Sequence, residues 1–405
     1  MARELKTDPA TGLFHPTQKY LDAVNAIPEK KTFRKVKMGI IGCGMISDTY
    51  FQASKKFNVI EVVACSDIIP ERAKKKEEMY GCKAMTNEEL LARDDIEIVL
   101  NLTPPQVHSK IAIDTLNAGK HAYSEKPFGV DEADAAKVMA LAKEKGLRVG
   151  CAPDTFLGAG LQTSRKILDD GWIGRPVAAT AMVLGRGPEK WGQAPFFYDY
   201  GAGPMLDLGP YYITALVNFF GPAKRVTAMT TKGEEFRTLG AEVGETYKDF
   251  YKPFDRYPVT VSTHLTGVVE FQNGVLATVI ASFDCYAHNH PPIEIYGTEG
   301  TLSVPDPNTF GGPVRLYRAS EGKWTDMPLS HIYAENSRSI GAADMAIAIQ
   351  TGRKHRCNGE QANHVLEIML AFDKSQKTGM PVDLKTTCER PAPLQLGLEF
   401  GEVEK

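Results

Sequence analysis

The chain has 405 residues, with 47 Lys plus Arg against 50 Asp plus Glu, and seven cysteines. At ~100–200 residues per domain, that length predicts two or three domains, and a formal charge of −3 offers no basic surface for a string of phosphates, which argues against nucleic acid as a partner. The longest strongly apolar stretch, Tyr211 to Phe220, has ten residues, against the ~20 that a bilayer-spanning helix requires, so a soluble protein with no membrane partner is expected. The first twenty residues are polar and carry neither an apolar signal region nor a twin-arginine pair. Seven is an odd number of cysteines, no two of them form a C-x-x-C pair, and free thiols in the cytoplasm are expected.

Residues 1–35 show no sustained period and read as an N-terminal arm. From Val36 to about Ala152, β-rich runs at 36–42, 61–67, 96–103, 121–126 and 147–152 alternate with helical patterns near 46–56, 70–80, 107–118 and 131–145, the signature of βαβ units and a parallel sheet. Asp131, three residues before Asp134, suits the cap of the last of these helices. Beyond Pro153 the pattern changes to longer alternating strands with few helices between them. In the clearest, Asn273-Gly274 separates two runs and predicts a two-residue hairpin turn. Val261, Leu265, Val269 and Phe271, then Val275, Val279 and Phe283, fall on one face. Further strands are expected at 177–184, 223–231, 293–297, 301–304 and 314–320, and helices at 340–351 and 359–377. An α/β Rossmann domain over 36–152 followed by an α+β domain over 153–405, with a large open-faced, mostly antiparallel sheet, is the resulting expectation. An open sheet must cover its second face, and a homo-oligomer, dimer or tetramer, would do so.

The first strand ends in Gly42-Cys43-Gly44-Met45-Ile46-Ser47, directly before a helical pattern. Small residues there let the backbone approach a pyrophosphate seated on the helix N-terminus, although the third small position is Ser47. The second strand ends in Asp67, 23 residues after Gly44, close to the ~20 expected for an acid that takes the adenosine ribose hydroxyls. A carboxylate there repels a 2′-phosphate, and Ile68 and Ile69 offer that phosphate no cation, so NAD is expected in preference to NADP.

Asn101-Leu102-Thr103-Pro104-Pro105 with His108, then Ala118-Gly119-Lys120-His121, then Glu125-Lys126-Pro127 resemble the Gfo/Idh/MocA family of oxidoreductases, in its sugar or glycoside dehydrogenase branch. The resemblance implies a Rossmann domain joined to an open-faced sheet, cofactor contacts from Thr103, Pro104, His108 and Glu125, and a lysine, Lys126, between nicotinamide and substrate. The cluster Gly201-Ala202-Gly203-Pro204-Met205-Leu206-Asp207-Leu208-Gly209-Pro210-Tyr211 matches the family's glycine-rich turn, with Tyr211 where many members carry His. Asp154, Thr155 and Gln162 follow the last Rossmann strand, where members place substrate contacts. Trp191, just before the cluster, offers a flat surface for a sugar face.

The chemistry brings these residue types together. Removing hydride from a carbinol carbon requires the hydroxyl proton to leave, so a base must be in reach. A tyrosine with an ordinary pKa of ~10 is a weak one at neutral pH unless a cation such as Lys126 favours its phenolate. Asp207 and Tyr211, four apart, would share one helix face with Thr214 and Asn218, while Ile213, Leu216, Val217 and Phe220 pack on the other. His288 and His290, at a strand end, fit hydrogen-bonding residues near the substrate better than a metal pair, and no metal is expected. The function expected is NAD-dependent oxidation of a secondary hydroxyl of a sugar, glycoside or polyol, with Lys126, Tyr211 and Asp207 as the catalytic set. An NAD-dependent glycosidase and a non-catalytic dinucleotide-binding regulator are the alternatives.

Overall fold

The computed structural model describes residues 31–405 and, before them, one ladder pairing Lys6–Thr7 with Phe14–His15. The expected arm therefore lies almost wholly outside the described residues. Six parallel strands follow: β1 (Val36–Ile41), β2 (Ile60–Ser66), β3 (Lys83–Ala84), β4 (Ile98–Asn101), β5 (His121–Ser124) and β6 (Val149–Cys151). Their spatial order is β3-β2-β1-β4-β5-β6, the doubly wound order whose chain reversal beside β1 opens a crevice at the carboxyl ends of the strands. Helices cover both faces, so the strands read as largely apolar runs interrupted near their starts by Lys37 and Glu61, and Val36, Met38 and Ile40 of β1 are fully buried. Helices form at Ser47–Ser54, Pro70–Tyr80, His108–Asn117 and Glu132–Lys145, close to the expected positions, and Asp131 accepts the Asp134 N–H as a cap at 2.8 Å.

The second sheet has nine strands: β7 (Pro176–Leu184), β8 (Ala223–Thr231), β9 (His264–Phe271), β10 (Leu276–Ser282), β11 (Ile293–Gly297), β12 (Gly300–Val304), β13 (Val314–Arg318), β14 (Lys323–Met327) and β15 (Val382–Asp383). They lie in the order β14-β13-β12-β11-β7-β10-β9-β8-β15. All neighbours are antiparallel except β7 and β10. Val226, Val269 and Val279 point to one face and are fully buried. Helices Gly209–Phe220 and Gly359–Thr378 cover that face. Burying each such side chain stabilises by roughly 1.5–3 kcal/mol. The opposite face is open: Met229, Val268, Leu276 and Trp324 are exposed on it.

Three expectations change. The β9–β10 turn has three residues, because the Phe271 N–H donates to Val275 O at 2.9 Å, leaving Gln272, Asn273 and Gly274 in the loop with Gly274 at φ +88. The glycine thus serves a turn followed by a bulge and not the two-residue form. A helix at Ala159–Asp169 was not anticipated; its polar stripe is buried because its partners come from distant segments, such as Leu394 on Gln162. Finally, the helix is interrupted at Leu208, giving Gly203–Asp207 and Gly209–Phe220, and every residue of the latter helix is buried. Thr214 and Asn218 therefore do not extend a free face, and Asn218 Oδ1 accepts from Arg165 at 3.0 Å.

Candidate active site

The glycine turn leaves β1 with Gly42 at φ +101, where a Cβ would sit 2.7 Å from the Leu102 backbone, so only glycine fits. Nothing lies within 4 Å of a Cβ built on Gly44, and Ile46 provides no side-chain cap for the helix that starts at Ser47. A glycine lip with open space and uncapped helical N–H groups fits a pyrophosphate. Ser47, at the imperfect third position, is buried and donates its hydroxyl to Gly44 O at 2.6 Å, which accommodates the extra oxygen. The Asp67 carboxylate accepts the Cys43 N–H at 2.7 Å and the Ile69 N–H at 2.8 Å. Those bonds fix Asp67 at the lip, flanked by exposed Ile68, Ile69 and Met45.

Across the crevice the Asn101 side chain organises the next loop. Its Oδ1 accepts from the Thr103 N–H at 3.1 Å and the Thr103 hydroxyl at 2.6 Å, and Pro104 beyond it is exposed. His108 departs from expectation. Its ring is 1% exposed and lies 2.7 Å from both Pro127 O and Thr103 O, which straps this loop to the Glu125-Lys126-Pro127 turn and leaves no atom for a cofactor. Burial holds that imidazole below its ordinary pKa. Glu125 is also framework: Oε1 accepts the Tyr50 hydroxyl at 2.6 Å and Oε2 the Lys126 N–H at 2.8 Å.

Lys126 Nζ lies 2.8 Å from Asp207 Oδ1 and 2.7 Å from Asp207 O, and 5.5 Å from the centre of the Tyr211 ring. Residues 81 positions apart in sequence thus converge beyond the carboxyl end of β5. Burial alone would push the ammonium down; Asp207, with Tyr211 and Glu125 behind it, reverses that and holds Lys126 well above its ordinary pKa. For Tyr211 the balance differs from expectation. Burial raises its pKa more than Lys126 and Arg338 lower it, with Glu125 also raising it, so the phenol stands above its ordinary value.

Of the expected substrate contacts, Asp154 is buried, and its Oδ2 accepts the Gly341 N–H at 3.1 Å. Burial raises its pKa to about 6. Thr155 is buried in a short turn beside it. Gln162 is corrected to a framework residue, because Nε2 donates to Phe156 O at 2.9 Å and Oε1 accepts the Leu394 N–H at 2.8 Å. Trp191 is 57% exposed, edge-on to Phe197. His288 and His290 are exposed, with rings 6.3 Å apart and nearly parallel. Among the described residues no group of three or more His, Cys, Asp or Glu could hold a metal ion, and no helix is long and apolar enough to cross a membrane.

Sequence reasoning missed Tyr50, which braces Glu125, and Arg338, whose positive charge favours the Tyr211 phenolate. Tyr50 follows the glycine turn by one helical turn and could have been noticed. Arg338 lies in an irregular stretch more than a hundred residues away, and no pattern marks it.

Two family models match the chain: an oxidoreductase family with an NAD-binding Rossmann fold over residues 36–152, and a GFO/IDH/MocA C-terminal domain over residues 161–303. Among curated proteins, it is 31% identical over 193 residues to a dTDP-3,4-didehydro-2,6-dideoxy-alpha-D-glucose 3-reductase of Actinomadura kijaniata, covering 46% of this chain and 56% of that one. An inositol 2-dehydrogenase of Salmonella typhimurium is 32% identical over 37% of this chain and 45% of its own. The chain thus spans about half the length of these relatives. A 1,5-anhydro-D-fructose reductase of Ensifer adhaerens is 26% identical over 86% of this chain and 99% of its own. Among solved structures, an NAD binding oxidoreductase from Klebsiella pneumoniae superposes with a TM-score of 0.75 at 19% identity, covering 87% of this chain and 100% of that chain. A levoglucosan dehydrogenase in complex with NADH and L-sorbose gives 0.74 at 20% identity, with coverage of 87% and 100%. With the doubly wound sheet, the glycine lip and the nine-stranded sheet in place, the chain belongs to the GFO/IDH/MocA family of oxidoreductases, with an NAD-binding Rossmann domain.

Proposed function

We propose that the protein interconverts a secondary alcohol and a ketone on a sugar, glycoside or polyol. The meeting of Lys126, Asp207 and Tyr211 beside the glycine lip carries this reading. NAD supplies the hydride acceptor or donor. Asp207 aims Lys126, whose ammonium donates to the substrate oxygen and stabilises negative charge developing there. Tyr211 takes the hydroxyl proton during oxidation and returns it during reduction. Because burial keeps the phenol protonated at neutral pH, Tyr211 is better prepared as the donor in reduction, and oxidation is favoured by alkaline pH. Asp67 takes the ribose hydroxyls and selects NAD over NADP. Thr103, Pro104, Gly42, Gly44, Met45 and Ile46 line the cofactor's path, and Asp154, Thr155, Trp191, His288 and His290 border the substrate. The boundaries at residues 35 and 152, and a cytoplasmic location, complete the proposal.

The open sheet face, with Met229, Val268, Leu276 and Trp324 exposed together, fits a second copy of the chain. Light scattering of wild type and Met229→Glu tests that part. The activity is tested by following NADH absorbance with polyols, aldoses and alkyl or aryl glycosides. Net NADH with at least one class supports the dehydrogenase. Release of aglycone without net NADH would make it a glycosidase, and tight NADH binding with no turnover would make it a regulator.

A further inference from the structure

Asp207 reaches Lys126 at the end of a strap, residues 199–207, that crosses from the C-terminal half onto the loops at the carboxyl ends of β4 and β5. Two contacts seat the crossing. The exposed Gln106 side chain, two residues beyond Pro104, donates from Nε2 to Tyr200 O at 2.8 Å, joining positions 94 apart. Gly201, at φ +87, follows so close to Val130 that a Cβ there would lie 2.8 Å from Val130 Cγ1 and 3.3 Å from Gln106 Nε2, an approach that glycine makes without displacing its neighbours.

The two ends of the strap are held unequally. Towards its own half, Asp199 Oδ1 accepts the Thr260 hydroxyl and the Tyr200 N–H, each at 2.8 Å, and the Thr260 N–H donates to Tyr198 O at 2.9 Å. Towards the Rossmann half, residues 199–203 have the Gln106 bond and the packing of Gly201 on Val130. A neutral, exposed hydrogen bond contributes little net free energy, worth roughly two- to tenfold in an equilibrium, so this is the end that opens. The place of the bond gives that opening a consequence. Gln106 shares its loop with Thr103 and Pro104, proposed above to line the cofactor's path, and in a doubly wound sheet the dinucleotide lies along the carboxyl ends of these strands.

We propose that Gln106 latches residues 199–203 across the crevice, and that breaking its bond to Tyr200 O gates the entry and release of NAD. The proposal rests on the cofactor lying in that crevice and is independent of the sugar chemistry. Gln106 is a positioning residue that acts through the strap.

Stopped-flow fluorescence of NADH, with full-length wild type, Gln106→Glu and Gln106→Lys, tests the latch by measuring association and then displacement by excess NAD. Gln106→Glu keeps the length of the side chain but removes the donor and sets a carboxylate against a carbonyl oxygen. Association and dissociation should both rise by about fivefold with Kd within about twofold of wild type, because the bond joins two protein groups and its loss lowers the barrier in both directions. Gln106→Lys supplies a donor of similar reach, and both rates should return to within about twofold of wild type. Unchanged rates in Gln106→Glu, or a Lys variant as fast as the Glu variant, would overturn the latch. Faster dissociation alone, with weaker affinity, would also overturn it and make Gln106 a direct cofactor contact. No sugar is present in these mixtures, so failure to oxidise any sugar would sink the dehydrogenase reading and leave the gate standing.

Discussion

Asp207→Asn removes the charge that holds Lys126 while nearly preserving shape. At 2.8 Å and an effective dielectric of ~20, the bare attraction is about 6 kcal/mol, most of which offsets the desolvation of the two groups. Breaking a fully buried pair from one side costs ~3–5 kcal/mol. Two features reduce that here. The lysine and aspartate side chains keep 16% and 19% of their exposure, and Lys126 retains the Asp207 carbonyl at 2.7 Å. The expected loss of stability is thus about 2 kcal/mol, read as a lower urea midpoint at neutral pH. Activity suffers more, because an ammonium no longer aimed at the substrate oxygen is displaced by ~1 Å or more, a scale of misplacement that costs up to ~100-fold in rate. A urea midpoint equivalent to less than ~0.5 kcal/mol of change, together with kcat/KM within threefold of wild type, would refute the pairing as the organiser of the site.

Other consequences are equally direct. Asp67→Ala removes the ribose acid and two backbone hydrogen bonds; NAD affinity should fall by ~10–100-fold by calorimetry with NADP affinity less affected, and parallel losses would refute the selectivity argument. Gly42→Ala must hold φ +101 with its Cβ against Leu102, so dinucleotide binding should be lost and stability reduced by more than ~1 kcal/mol. Asp154 titrates near 6 when folded, above its ordinary value of 3.8. A raised acid stabilises the fold below its ordinary value and loses that contribution as pH rises. Relative to Asp154→Asn, wild type should therefore weaken between pH 4 and pH 6 by on the order of 2 kcal/mol; a difference independent of pH would contradict the buried carboxylate.

The Rossmann half was legible because its signals are local. Gly42, Gly44 and Asp67 sit at strand ends a fixed distance apart, and the strands leading to them are largely buried and so read as mostly apolar runs. Alternation in 261–283 likewise gave the β9–β10 pair, with its turn length off by one residue. What could not be read depends on partners distant in sequence. The helix at Ala159–Asp169 buries Gln162 and Arg165 because acceptors and donors arrive from Leu394, Pro391 and Asn218. His108 carries the right residue type for a cofactor contact, yet the Pro127 carbonyl claims it. Strand β14 is exposed from Lys323 to Asp326 and has no apolar alternation to announce it. At the candidate site, Lys126, Asp207 and Tyr211 could be named from their motifs, whereas the sign of the Tyr211 shift depended on how deeply the phenol is buried.

The central claim is that Lys126 and Tyr211 handle the proton while hydride moves. It is tested most directly by single-turnover stopped-flow absorbance, comparing wild type, Lys126→Met and Tyr211→Phe preloaded with NAD and mixed with the best polyol or glycoside from the screen. Each variant should bind NADH as wild type does and transfer hydride at least ~100-fold more slowly, the lower scale for positioned acid–base groups. Transfer in either variant within threefold of wild type would contradict the account.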